Sequence, residues 1–310
     1  MERILITGVD YALGANLALE LADRAAVMGL YSRQAVECPG IGTAAWDGAD
    51  LAAFASACGA WQPQWIVHCG PLSAASWDPI GPTTEANREP QVAAELAEIA
   101  HESGARLTVI SSDVVFAGPR MFHEETFAAS NTAPRAVLTR NLERALEGSG
   151  ALVVRTHAFG WSPVAAHAGF TEHAAQSLAD GSELAAGGRR YATPILATDL
   201  ADLLWRAYEL RLSGLYHLAG AERTSAFRFV MELAAAFGIE RRSGNQRLSQ
   251  PDSAWHEETS LNSRRARRVL ERATPLLREG LQRFAEQAEN GWRQRWHSSG
   301  PAARRHEVAA

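Results

Sequence analysis

Short, continuously apolar runs alternate along the first half of the chain with longer stretches in which apolar residues return every three or four positions. Residues 3–7 (RILIT), 26–31 (AVMGLY), 65–69 (WIVHC), 106–111 (RLTVIS) and 151–156 (ALVVRT) are the short runs. They lack the polar alternation of a half-solvated strand, so they predict strands covered on both faces. Helical periodicity fills residues 13–24, 89–102 and 134–147, with Leu17 and Leu21 on one apolar face of the first. Strands separated by helices of this length predict βαβ units and a parallel sheet. Past Gly160 the pattern loosens: an Ala-, Gly-, Ser- and Pro-rich stretch precedes helical patterns at 199–210 and 225–237, an apolar run at 214–218, and a last helix at 276–287. These predict a smaller lobe over the carboxyl ends of the strands. The expected division is 1–160 for the first domain, 161–297 for the lobe, some of whose elements return to the first domain, and 298–310 for a flexible tail.

The turn after the first run gives the predicted sheet a purpose. Thr7-Gly8-Val9-Asp10-Tyr11-Ala12-Leu13-Gly14 leads from a strand straight into a helix, the place where a helix N-terminus faces a pyrophosphate. The expected fold class is therefore α/β: a Rossmann-type doubly wound parallel sheet with a smaller C-terminal α/β substrate lobe. Gly8 and Gly14 fit the outer positions of a GxxGxxG pattern, and Leu13 lies between them. Tyr11 stands at the middle position, where glycine lets backbone approach the phosphates. Two readings follow: the ring obstructs the site, or it swings out to solvent and a dinucleotide still binds. The second run ends in Tyr31-Ser32-Arg33. A Ser32-Arg33 pair suits a 2′-phosphate, hence NADP(H), better than the free ribose that an acid would bind.

Composition removes several function classes. The 310 residues are 46% hydrophobic, enough for a sizeable core, and the net charge of −5 gives no general attraction to nucleic acid. No stretch is long and apolar enough for a membrane span, and the first strand begins almost at Met1, so a cytoplasmic protein is expected. Cys38, Cys58 and Cys69 suit neither a disulfide framework nor a metal site, so no metal is expected. Every one of the 30 Lys+Arg residues is arginine. No chemistry in this chain uses a lysine amine.

Several segments in fixed order carry a family resemblance. Residues 109–118 read VISSDVVFAG, followed by Phe122-His123-Glu124-Glu125; residues 153–160 read VVRTHAFG; then come Ala192-Thr193-Pro194, Asp199-Leu200-Ala201, GLYHLAG at 214–220, Ser260-Leu261-Asn262 and LLREGLQRF at 276–284. From about residue 2 to 291 the chain resembles the extended short-chain dehydrogenases/reductases, and within them the dTDP-4-dehydrorhamnose reductases and their sugar-nucleotide-binding relatives. The resemblance implies NADP(H) in the first domain and a nucleotide-sugar under the lobe. It also implies a Ser/Thr, Tyr and Lys set, the Tyr donating a proton to the substrate carbonyl and the Lys holding the nicotinamide ribose.

Ser112 matches the Ser/Thr of that set. The YxxxK window falls on Ala136 to Arg140, so alanine stands for the tyrosine and Arg140 for the lysine; Val114 stands where the family usually has a tyrosine. No tyrosine occurs between Tyr31 and Tyr191. Arg140 can still bond a ribose, but alanine donates no proton, and a positioned general acid is worth ~10²–10⁴-fold in rate. The expected cofactor-binding set is Gly8, Tyr11, Leu13, Gly14, Ser32, Arg33 and Arg140. The expected substrate-binding set is Asp113, His157, Trp161 and Thr193, with His123 and His157 as replacement acids or plain packing histidines. Cys69 reads as a reactive thiol or, more simply, a small buried side chain. The cluster Arg264, Arg265, Arg267 and Arg268 reads as a phosphate or acidic-partner contact, or a solvated helix face. Trp292 and Trp296 read as partner contacts or core caps.

Three functions follow. The first is a catalytically degenerate binding or regulatory protein, as the family's regulatory subunit of methionine adenosyltransferase exemplifies. The second is an active NADPH-dependent reductase or epimerase with another proton donor, and the third a ligand-free scaffold. A dinucleotide or nucleotide-sugar, a protein partner or a homodimer are the expected partners; nucleic acid and membrane are not.

Overall fold

The computed structural model describes residues 1–79, 83–182, 190–239 and 257–301. In chain order its elements open with β1 (Arg3–Thr7), α1 (Ala12–Leu21), β2 (Ala26–Tyr31), β3 (Gln34–Glu37), β4 (Gly42–Ala45), α2 (Leu51–Trp61) and β5 (Trp65–His68). There follow α3 (Thr84–Ser103), β6 (Arg106–Ser112), α4 (Pro134–Ala145), β7 (Leu152–Thr156), β8 (Ala158–Phe159), α5 (Phe170–Asp180), β9 (Arg190–Ala192) and β10 (Ile195–Leu196). The chain closes with α6 (Ala197–Glu209), β11 (Gly214–His217), β12 (Thr224–Ser225), α7 (Ala226–Ala236), β13 (Glu257–Glu258), α8 (Arg264–Leu270), α9 (Leu277–Glu289) and β14 (His297–Pro301).

Seven strands form one parallel sheet in the order β11-β7-β6-β5-β1-β2-β4. This is the expected Rossmann-type α/β fold. Alternate side chains of each strand serve opposite cores. Ile4 and Ile6 face Leu17 and Leu21 of α1 and Leu200 and Leu204 of α6. Leu5, between them, joins Phe54 of α2, Leu96 of α3 and Leu142 of α4 on the other face. The chain steps from β1 outward to β2 and β4, then returns to place β5 on the other flank of β1. That reversal opens a crevice at the carboxyl ends of β1 and β5.

α6 and β11 lie beyond residue 160 yet belong to the first domain. β11 is an edge strand of the main sheet, and α6 packs beside α1. What remains over the crevice is a lobe of α5, α7 and α9, whose Phe170, Phe229, Leu281 and Phe284 share a core with Trp77 and Phe159. α3 begins five residues before its expected start. The hydroxyl of Thr83 caps it by accepting from Ala86 N at 3.1 Å, and Pro90 is carried inside the helix. Residues 297–301, which reach into the expected tail region, pair antiparallel with β3; residues 302–310 lie outside the described residues.

One buried charge pair ties α4 to the sheet. Arg155 on β7 donates to both carboxylate oxygens of Glu143, at 2.8 and 2.7 Å, and Ser111 donates to the same carboxylate at 2.6 Å.

Candidate functional site

The crevice is built around Gly8. Its φ is +72°, and a side-chain carbon there would stand 2.0 Å from the Cys69 carbonyl oxygen, so only glycine lets β1 and β5 end side by side. Gly14 is equally constrained: a Cβ would meet the Gly8 carbonyl oxygen at 2.3 Å. Leu13 lines the cavity at the mouth of the crevice. Both expected glycines therefore shape the turn.

Tyr11 neither swings out to solvent nor stays clear of the turn. It forms the N-cap of α1, and its ring stacks on His167 at 4.7 Å with 13° between the planes. His167 comes from the lobe, and its Nδ1 donates to the Asp10 carbonyl at 2.8 Å. The pair thus bridges turn and lobe across the crevice. Burial pushes the phenol up to about 12, with Arg33 acting against it. Asp10, fully buried, accepts from the backbone N–H groups of Ser32, Arg33 and Gln34 at 3.2, 3.0 and 3.3 Å. The loop beyond β2 is pinned by this carboxylate.

Arg33 donates to Glu85 at 2.8 Å, a half-exposed pair worth ~0–1 kcal/mol and the weakest closure in the crevice. Deeper on that side the space is nearly full. Trp46, His68 and Glu89 help line a cavity of about 40 Å³, room for a few water molecules (roughly 10–15 Å³ each). His68 is hydrogen-bonded to Thr7 at 2.8 Å, and its Nε2 lies 3.6 Å from Glu89 Oε1. A Cβ on Gly70 would meet that oxygen at 2.2 Å. Cys69 is buried, and burial raises its thiol far above the ordinary range, with Glu89 adding to the effect. It is a packing side chain and not a reactive thiolate.

The positions expected to do chemistry are committed to holding the chain together. Ser112 Oγ is fully buried and donates to the Ala74 carbonyl at 2.6 Å. Arg135 of α4 donates to the same carbonyl, and to that of Ala75 at 3.2 Å. Arg135 thus lies behind the cavity wall, bonded to two residues that line it, with Thr139 one turn on and bonded to the Arg135 carbonyl at 2.9 Å. Ala136 is fully buried. Arg140 lies elsewhere. It donates to the Asn131 carbonyl and lines a separate groove of about 890 Å³ with Arg144 and Arg155. A helix turns about 100° per residue, so Arg140 lies about 140° around α4 from Arg135.

Asp113 and His157 come together. His157 Nδ1 donates to Asp113 Oδ2 at 2.7 Å; Ser76 Oγ and Thr259 Oγ1 donate to that oxygen at 2.7 and 2.5 Å, and Ser76 N to the other at 2.9 Å. Burial acts to raise the Asp113 carboxyl, but His157 and the two hydroxyls hold it below its ordinary value. Serine and aspartate both meet the same imidazole nitrogen, so no relay from Ser76 through the ring to Asp113 exists. The cluster joins the ends of β6 and β7, the segment after β5 and the residue after β13.

The remaining expected residues pack. Trp161 stacks on Phe284 at 4.1 Å and donates to its carbonyl at 3.0 Å. Thr193 Oγ1, fully buried, accepts from Leu261 N at 3.1 Å. His123 stacks on Phe116 at 4.1 Å, and burial lowers its pKa. Arg264, Arg267 and Arg268 are exposed on α8, while Arg265 lies over Tyr216. Trp292 donates to Asn16 at 2.9 Å, and Trp296 is buried. Among the described residues no His, Cys, Asp and Glu group forms a metal site, and no helix is long and apolar enough to cross a membrane.

Sequence reasoning missed Asp10, Asp78, His167, Glu172 and His173. The first had a signal, an acid inside the glycine turn; the others sit in the loosely patterned stretches. Glu172 is buried in the first turn of α5, where burial pushes its carboxyl up to about 7, against hydrogen bonds from the Ser162 and Gly169 backbone. Its folded value exceeds its unfolded one, so its contribution is complete below about pH 4.3 and lost as pH rises through 7. Glu172→Gln is expected to remove a decline in stability on the order of 3 kcal/mol between those limits. Urea unfolding across the pH range checks this; an unchanged slope rules the residue out as its source.

A family model described as the RmlD substrate binding domain matches residues 1–290. No curated protein sequence matches the chain. Among solved structures, a hypothetical dTDP-4-dehydrorhamnose reductase from Sulfolobus tokodaii is 22% identical with a TM-score of 0.70, over 90% of this chain and 98% of that one. The Bacillus anthracis dTDP-4-dehydrorhamnose reductase in complex with NADP is 18% identical with a TM-score of 0.70, over 92% and 99%. The dTDP-glucose 4,6-dehydratase of the same organism, in complex with NAD, is 12% identical with a TM-score of 0.75, over 94% and 97%. At these identities the structures establish a shared fold, and the family match spans nearly the whole sequence: the chain belongs to the RmlD substrate-binding-domain family.

Proposed function

We propose that this chain is a catalytically silent member of its family, which keeps the cleft for binding, in a regulatory or partner role, and performs no hydride transfer. The observation that carries this is the Tyr11–His167 stack across the phosphate-binding turn. Solved relatives hold NADP or NAD, and the residues of this chain do not fit such a group. The ring of Tyr11 stands where backbone must approach a pyrophosphate. The space beside Trp46, His68 and Glu89 is too small for a nucleobase. No step is therefore routed through a dinucleotide.

Proton transfer fails independently. The α4 side chain nearest the cavity is Arg135, a guanidinium held behind the wall by the carbonyls of Ala74 and Ala75. Ser112 is turned onto the Ala74 carbonyl. His123 and His157, the replacement acids, are absent from the cavity wall among the described residues.

The test is an NADPH oxidation assay with dTDP-4-dehydrorhamnose at saturating concentrations. No oxidation above the protein-free control is expected. Turnover on the order of 1 s⁻¹, the low end of ordinary enzyme rates, would overturn the proposal.

A further inference from the structure

Resting on the reading that a dinucleotide is excluded, we infer that the remaining cavity binds a neutral, hydroxyl-bearing small molecule and discriminates against its phosphorylated counterpart. The cavity measures about 440 Å³, at the small end of the ~300–1,000 Å³ range of small-molecule sites. Its wall combines apolar Ala12, Leu13 and Phe159 with polar Asp78, His167 and His173.

A phosphate site needs free N–H groups and an uncommitted cation. Here the chain's own carboxylates take the N–H groups. Asp78 accepts from Ala75 N and Phe170 N, both at 2.9 Å. Glu172 accepts from Gly169 N at 3.3 Å, so the N-terminus of α5 is covered twice. Arg33, the one arginine of the wall among the described residues, is bonded to Glu85. Asp78 also brings a negative charge to the cavity wall, so Coulomb repulsion of a phosphate is added to the missing donors.

One helix start stays open. No side chain caps α1, whose Ala12 and Leu13 line the cavity. It calls for an acceptor, which either a phosphate or a hydroxyl supplies. The histidines decide between them. His167 and His173 each donate Nδ1 to a backbone carbonyl, of Asp10 at 2.8 Å and Gly169 at 2.9 Å. In the neutral ring this leaves Nε2 as an acceptor, which calls for a donor. A hydroxyl accepts from the helix and donates to an imidazole; an ionised phosphate only accepts. The hydroxyl of Thr171, also in the wall, makes no hydrogen bond among the described residues and pairs with an alcohol in either sense.

The experiment is calorimetric titration with matched probes: D-glucose against glucose 1-phosphate, and thymidine against dTDP, with myo-inositol and NADPH alongside. At least one neutral probe is expected to bind about tenfold or more tightly than its phosphorylated partner, and to weaken about tenfold in the double variant Thr171→Val/His173→Phe. That variant's melting temperature is measured in parallel, so lost binding is separated from lost folding. Equal or tighter binding of the phosphorylated probes overturns the inference, as does no binding of any neutral probe at about 1 mM. Binding of NADPH would instead overturn the preceding reading; silence from NADPH and the neutral probes together overturns this inference alone.

Discussion

Asp113→Ala is expected to lower stability by about 3–5 kcal/mol, the cost of taking the shared acceptor out of a buried hydrogen-bond network. The carboxylate is fully buried and receives the His157 imidazole, two hydroxyls and a backbone N–H. Thr259 keeps the Tyr191 carbonyl at 3.1 Å, but alanine would leave the His157 ring and the Ser76 N–H without this acceptor, and unmet buried polar groups cost ~1–3 kcal/mol apiece. At roughly 2–4 °C per kcal/mol for a chain approaching this size, the melting temperature falls by about 10 °C. The sign of the pH dependence is opposite to that of Glu172. The folded carboxyl of Asp113 lies below its unfolded value of about 3.9, so its contribution is present above that pH and lost as pH falls through the folded value. The gap between wild type and variant therefore narrows in acid. A loss under about 1 kcal/mol at pH 7, the size of an exposed pair, would show that Asp113 does not organise the junction.

Tyr11→Gly is expected to raise NADPH affinity about tenfold or more, equivalent to at least ~1.4 kcal/mol. The substitution removes the ring stacked on His167 and so clears the backbone of the turn for a pyrophosphate beside the open start of α1. Part of the closure survives in Trp46, His68 and Glu89, so full family-type affinity is not expected. Tyr11 has φ −112°, where glycine has no steric advantage, and the variant costs up to about 1 kcal/mol in chain entropy. Tyr11→Phe serves as the control, because it keeps the ring and should leave NADPH affinity unchanged. If Tyr11→Gly binds no better than Tyr11→Phe, the ring is not the obstruction.

The sheet was legible because buried parallel strands announce themselves as apolar runs, and the five so read all lie in it. β11 was legible as a strand but not as a member of that sheet, since hydropathy carries no address. α2 and β4 escaped notice in an alanine-rich stretch that lacks a sharp period. At the site, Gly8 and Gly14 followed from local turn chemistry. The destination of the Tyr11 ring did not, because His167 reaches it from the far lobe. The absence of lysine chemistry was readable from composition and the lack of a tyrosine in α4 from the gap between Tyr31 and Tyr191, yet which α4 side chain turns toward the cavity wall depended on a helix rotation that only packing fixes. Asp113 and His157 were expected as substrate contacts; the structure brings them together, but the hydroxyls that surround them come from Ser76 and Thr259, which no local pattern connects.

The most direct measurement is the affinity of the unmodified chain for NADPH, by calorimetric titration at pH 7. No binding at a concentration of about 100 μM (roughly 5.5 kcal/mol) is predicted, because Tyr11 and His167 hold the phosphate turn closed. Saturable one-to-one binding below that concentration would contradict the closure and return the chain to the ranks of working cofactor-binding proteins.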